Sequence, residues 1–272
     1  METKVTILAD NIAGPPVFKG EHGLSILVEV DGRSFLWDCG QSDVAVQNAR
    51  LLGIDLREIE GIGISHGHLD HTWGLPAVLA ASGPKTVHMH PDAYEPRYAK
   101  FGETRHFIGI QVRREVLQAG GLEFNAAPVE VMPGVTMTGE IPRVTDFEGP
   151  EPMLFIRKDA ELVPDPFTDD QALVVDTPDG AVVITGCAHA GLVNTLKHVG
   201  ETHGRVKAVI GGTHLGMGAP LEKAEKTMDY LEEIAPDRIV ACHCTGTVVT
   251  SRMLDRFGDR FTPGQTGLVI TL

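Results

Sequence analysis

The stretch Ser65-His66-Gly67-His68-Leu69-Asp70-His71 sets three histidines and one aspartate within six residues, directly after the apolar run Ile62-Gly63-Ile64. No packing requirement calls for that density of imidazole and carboxylate. These are the donors that borderline divalent metals prefer. His66 and His68 are two apart, so an extended segment projects both to one side. Asp70 and His71 come where the backbone begins to turn into a helix, and they point to a second position. Two ions roughly 3.5–4 Å apart stabilise both the attacking and the leaving oxygen of a hydrolysis. The run supplies too few ligands for two ions, so a chain that carries it has to fold in a way that brings more donors to the same place.

The rest of the chain suits that demand. Lys4 to Leu8 reads as a first strand, and Leu24 to Val30 and Ser34 to Trp37 flank the turn Asp31-Gly32 as a hairpin. Residues 43–52 read as a helix stopped by Gly53, and Gly61 to Ser65 as a short buried strand. A helix from Thr72 to Ala81 and a strand from Lys85 to Met89 follow, a βαβ-like order in which ligands gather at the carboxyl ends of strands. In the second half, Ala172 to Asp176 and Ala181 to Thr185 form another hairpin. A helix over 190–199, a strand from Val206 to Ile210, and a helix with Pro220 at its first position come next. Arg238 to Ala241 is a strand, 247–257 a helix, and Gly267 to Thr271 a last strand. Five strands end on polar groups: Asp38, the 66–71 cluster, Cys187 with His189, His214 and His243. His189 and His243, in Gly-rich turns that also bear cysteines, are the best candidates to complete the site. Residues 90 to about 170 alternate weakly between helix and strand signals and contain several prolines. They are expected to be an insertion or cap within one domain spanning 1–272.

Other groups have both a chemical and a plain reading. Asp38 is expected to orient a ligand histidine rather than to bind metal itself. His214 follows Gly211-Gly212-Thr213 and is a candidate catalytic group, with a packing role as the alternative. Thr245-Gly246 precedes a helix, whose free N–H groups would seat an anion. Arg143 has the fork to grip a phosphate, or is a solvated loop residue. Cys187 bridges, ligates one ion, or only packs. His22, His198 and His203 read as surface or packing residues.

Charge narrows the partners. With 23 Lys and Arg against 37 Asp and Glu, the net charge is −14, and no basic stripe interrupts it. Nucleic acid is not expected, whereas a small phosphorylated substrate held by one or two arginines is compatible with this charge. No apolar run approaches the roughly 20 residues of a membrane span, and the start lacks a secretion pattern, so no membrane partner and a cytoplasmic location are expected. Four cysteines are too few for a disulfide scaffold.

The motif His66-x-His68-x-Asp70-His71 resembles that of the metallo-β-lactamase superfamily. Asp38-Cys39-Gly40 resembles its early Asp-x-Gly strand end, and His243 its C-terminal ligand. The phrases Glu21-His22-Gly23-Leu24-Ser25, Thr185-Gly186-Cys187-Ala188-His189-Ala190-Gly191 and Cys242-His243-Cys244-Thr245-Gly246 are similar to a subgroup whose members are often labelled dihydropterin–ribofuranosylaminobenzene phosphate synthases. The resemblance implies an α/β fold, a four-layer αββα sandwich with the metal site between the tops of two sheets. Cys187 stands where most relatives carry a bridging aspartate, and the usual middle histidine is missing between 72 and 186. His189 is expected to take its place.

The metal ligands expected are therefore His66, His68, Asp70, His71, Cys187, His189 and His243, holding one or two divalent ions. Zinc is the first expectation, with iron and manganese as alternatives. The function expected is a metal-dependent hydrolase, or related transferase, that uses a metal-activated hydroxide on a small phosphorylated or cyclic substrate. Asp70 is a candidate to orient the water as base. A metal-loaded redox sensor without turnover is the alternative. A second copy of the chain is left open as a partner.

Overall fold

The computed structural model describes residues 2–216 and 218–272. Two seven-stranded sheets face each other. The first runs in the order Val269–Thr271, Thr3–Ala9, Ser25–Val30, Arg33–Trp37, Gly61–Gly63, Thr86–Met89, Leu122–Phe124. The second runs Phe261–Pro263, Arg238–Cys242, Val206–Gly212, Gly180–Thr185, Ala172–Thr177, Val135–Met137, Val129–Met132.

Alternation along the strands explains why both sheets are buried on two faces. Ile26, Val28, Phe35 and Trp37 enter a core shared with Leu173, Val175, Val182 and Ile184 of the opposite sheet. The residues between them turn outward: Leu27 and Leu36 pack beneath the helices Val44–Leu51 and Leu75–Ser82. On the other side Val174 and Val183 meet Leu192–His203, and with it the helices Leu221–Ile234 and Thr247–Phe257. Strands apolar on both faces read as continuous hydrophobic runs, because each face has its own partner layer. The result is the αββα order expected. Among the described residues no helix is long and apolar enough to cross a membrane.

Several details depart from expectation. The segment read as one cap over about 90–170 is divided among three sheets. Leu122–Phe124 extends the first sheet, and Val129–Met132 and Val135–Met137 extend the second. Only Glu161–Pro164, Leu154–Lys158, Arg97–Phe101 and Thr104–Phe107 form a separate four-stranded antiparallel sheet. Strands of three or four residues carry too few positions for a period to show. The helix expected from Thr72 to Ala81 is two helices, Leu69–Thr72 and Leu75–Ser82, the second preceded by Gly74, where a side chain would collide with the Cys39 carbonyl. Pro220 precedes its helix in extended conformation rather than occupying its first position.

The small sheet is locked to the rest by Arg97, whose guanidinium is fully buried. It donates to Asp165 at 2.9 Å, to Asp169 at 2.6 Å, and to the carbonyls of Asp92 and Ala93 at 3.0 and 3.1 Å. The other oxygen of Asp169 accepts the Gly67 N–H at 2.8 Å, so the lock reaches the histidine turn itself. Removing one member of such a buried ionic group leaves the others uncompensated, so Arg97→Ala is expected to cost about 3–5 kcal/mol in urea unfolding.

Candidate metal centre

Parallel pairing brings the polar strand ends together. Arg33–Trp37 runs parallel to Gly61–Gly63, and Gly180–Thr185, Val206–Gly212 and Arg238–Cys242 run parallel to one another. Asp38 and His66 therefore leave one sheet, and Cys187, His214 and His243 the other, at facing edges. Four non-glycine residues here adopt left-handed backbone: Asp38 (φ 59°), Ala188 (φ 59°), His214 (φ 48°) and His243 (φ 54°). Each such residue costs of order 1 kcal/mol and persists where its surroundings over-determine it.

Two sets of three donors result. His66, His68 and His189 form one, and Asp70, His71 and His243 the other, each with its donor atoms within 4.8 Å of one another. Cys187 lies between them: it groups with His66 and His71, and also with His243 and Cys244. Its sulfur is 3.2 Å from His71 Nε2. All these residues are buried. The Nε2 atoms of His68 and His189 have no hydrogen-bond partner among the described residues, and His243 Nε2 faces Asp70 Oδ2 at 3.2 Å. A buried nitrogen left unpaired costs about 1–3 kcal/mol, and two in one cluster, beside a histidine facing a carboxylate, make the donor set fit a bound cation.

The other ring nitrogens are held from outside the cluster, as metal-binding imidazoles usually are. Asp38 Oδ2 is 2.7 Å from His71 Nδ1 and accepts the Ser65 hydroxyl at 2.7 Å. That hydroxyl is 2.9 Å from His66 Nδ1, so one carboxylate orients a ring in each set. His243 Nδ1 meets Asn11 Oδ1 at 2.8 Å, and the His243 N–H donates to Asp10 Oδ1 at 2.7 Å. Glu151 Oε1 sits 2.9 Å from His189 Nδ1 and 2.8 Å from His214 Nδ1. Phe167 stacks on the His189 ring at 4.3 Å, nearly parallel.

Electrostatics separates these groups. Burial, with the neighbouring rings, pushes His66 and His68 well below the usual imidazole range, and His189 to about 3. They are neutral and free to donate. His71 goes the other way, to about 9: burial opposes its charge, but Asp38 and Asp70 outweigh it. Burial alone would lift Asp70, yet His71 and His243 hold it well below the ordinary carboxylate range. Burial likewise pushes Cys187 up, while Cys244 is drawn down to about 5 against its burial by the Cys187 thiol and by His243.

Some expectations need correction. Arg143 is not free for a substrate phosphate, because its guanidinium donates to the carbonyls of Glu148, His189 and Ala190 at 2.6, 2.9 and 3.1 Å. It clamps the loop that carries His189. The Thr245 hydroxyl is also spent internally, donating to the Cys242 carbonyl at 2.7 Å with Thr213 Oγ1 3.0 Å away. Gly246 serves a close approach, since a side chain there would strike Gly216. His22, read as a surface or packing residue, has its Nε2 3.3 Å from Asp70 Oδ2 and its ring centroid 5.6 Å from that of His243. Asp10 and Asn11 follow the first strand, so the strand-end pattern that singled out the other donors also covers them. Glu151 lies among prolines and gave no signal.

A model of the metallo-beta-lactamase superfamily matches residues 19–243. The chain belongs to this superfamily. A 7,8-dihydropterin-6-methyl-4-(beta-D-ribofuranosyl)-aminobenzene-5'-phosphate synthase of Methanocaldococcus jannaschii is 28% identical over 282 residues, 98% of this chain and 96% of that one. A solved structure described as a metal-dependent hydrolase of the beta-lactamase superfamily is 32% identical, covers 99% of both chains and superposes with a TM-score of 0.86. The ribonuclease Z of Treponema denticola is 34% identical over 101 residues, 35% of this chain and 31% of that one. As in the wider superfamily, divalent metal binding goes with the fold, and the His, Asp and Cys groups above are the donors this member offers.

Two outcomes follow from Asp38. Asp38→Asn is expected to lower metal affinity roughly 10–100-fold, read by competition with a chromophoric chelator. His71, raised from its ordinary 6.5 to about 9, holds a proton in the metal-free protein. Its contribution to stability is then full below pH 6.5 and is lost as pH rises through about 9, which urea unfolding of the metal-free protein across that window measures.

Proposed function

We propose that the protein is a metal-dependent hydrolase of a small-molecule substrate, with a group transfer of the same type as its close variant. The observation that carries this reading is the pair of buried three-donor sets, with the Nε2 atoms of His68 and His189 unpartnered among the described residues. His66, His68 and His189 would hold one ion, and Asp70, His71 and His243 a second, with Cys187 between them. Imidazole, carboxylate and thiol together suit zinc first and iron next. A divalent ion there supplies Lewis acidity and activates water near neutral pH.

The chain's own residues do the rest. Asp38 and Ser65 keep the His66 and His71 rings turned so that Nε2 faces inward. Glu151 does the same for His189 and holds His214 by Nδ1, which leaves His214 Nε2 as its free ring nitrogen. Burial lowers the His214 pKa, but the Glu151 hydrogen bond together with the Cys244 and Glu151 charges outweighs it, so the ring holds its proton more firmly than a free imidazole. We assign it to protonating the leaving group. Asp70 combines a strongly ionised carboxylate with contacts to His22 and His243, which suits it to bind metal and to orient water. A cavity of about 580 Å³ opens beside Glu151 and His214, a size for a small ligand. The solved hydrolase at 32% identity supports the reaction class, and the synthase-named relative keeps transfer within the reading.

His68→Ala should abolish both metal content and turnover in a screen of phosphodiester, lactone and thioester substrates. Full activity in that variant without metal would refute the proposal. His214→Gln should keep its metal and lose about 10²–10⁴-fold in kcat, as removal of a general acid does.

A further inference from the structure

The cavity beside His214 has a lining that the reaction itself does not explain. Phe101, Phe147, Pro150, Pro152 and Leu154 make much of it apolar. Into this lining comes Lys223, from the first turn of the helix Leu221–Ile234, with only 9% of its surface exposed. Its ammonium makes no ion pair and no side-chain hydrogen bond among the described residues. The nearby acids are committed elsewhere. Lys226, one turn on, pairs with Glu222 at 3.0 Å. Glu148 accepts the N–H groups of Val193 and Asn194 at 2.9 and 2.8 Å, and the Lys223 charge acts on it only at longer range. Glu151 is held between His189 and His214. Asp146, the remaining carboxylate of the lining, acts on Lys226.

The Lys223 ammonium thus has no carboxylate within ion-pair distance among the described residues, although Glu148 and His214 both feel its charge, and it offers a cation at the cavity wall to an anion brought by something else. The same helix adds to the field. Its N-terminus has no side-chain cap, although the Lys223 N–H donates to the Pro220 carbonyl at 3.0 Å, and Ala219 and Pro220 at its start line the cavity, so the positive end of the helix dipole lies beside it. Deepening the hydrolase reading and resting on it, we infer that the cavity selects a substrate with a ring-sized apolar body and an anionic end, a phosphate or a carboxylate, and that Lys223 holds that anion. The anion is then an anchor. Another group of the same substrate reaches His214 and the metal centre, because His214 and Lys223 line one cavity.

The test is isothermal titration of the metal-loaded protein with 1-naphthyl phosphate, 1-naphthoate and neutral 1-naphthol. Lys223→Met is expected to weaken the better of the two anions about tenfold or more, as loss of a charge-assisted hydrogen bond does, and to leave 1-naphthol unchanged. Lys223→Arg should retain anion binding, and Phe147→Ala should weaken all three probes. An unchanged melting midpoint for Lys223→Met shows that the fold is intact. The inference is overturned if Lys223→Met binds both anions as the wild type does, or if Phe147→Ala changes nothing. It is equally overturned if anion binding disappears in metal-depleted His68→Ala protein while ignoring Lys223. These are binding measurements, so they stand even if no substrate is hydrolysed, and failure of the hydrolase reading is told apart from failure of this one.

Discussion

The Asp38 carboxylate is the interaction on which the centre depends. It sits at the end of Arg33–Trp37 in left-handed backbone and is wholly buried. One oxygen accepts the Ser65 N–H at 2.8 Å, and the other accepts the Ser65 hydroxyl and meets His71. A single side chain thereby fixes where the histidine turn begins, how the His71 ring faces, and through Ser65 how the His66 ring faces. Without it the His66 and His71 rings would have to be held by packing alone. The strained backbone is the cost of aiming that group inward.

A second carboxylate plays the matching part across the cleft. Glu151 ties His189 to His214 and belongs to the irregular run that precedes Leu154–Lys158 of the small sheet. Arg97 and Asp169 join that sheet to Gly67. The small sheet is therefore coupled to the metal donors at two places, Gly67 and His189, and it also shapes the cavity through Phe101 and Leu154. The cavity wall and the candidate metal donors share one set of hydrogen bonds.

The main sheets were legible because their strands are apolar on both faces and end in chemistry, as at Gly180–Thr185 and Arg238–Cys242. The donors in the 66–71 run were legible from spacing, and His189 and His243 from their place after strands. Asp38 was legible for the same reason. Three kinds of residue were not. Arg143 looked available, because a sequence does not show that nearby carbonyls will take up a guanidinium. His22 looked remote, because its approach to Asp70 depends on a loop without periodicity. Glu151 and Lys223 are an ordinary acid and an ordinary lysine until the fold buries them beside His214. The short strands Val129–Met132 and Val135–Met137 were hidden by their length and by the prolines around them.

The bond from the His243 N–H to Asp10 spans 233 positions of the chain, and the one from Gly67 to Asp169 spans 102. Contacts so distant in sequence form late, after the loops between them have closed. A chain emerging from the ribosome thus displays the histidine turn long before His189 and longer still before His243. Until the final strands dock, the early donors are an open and incomplete binder. A complete donor set is thus a property of the folded molecule and not of the histidine turn by itself.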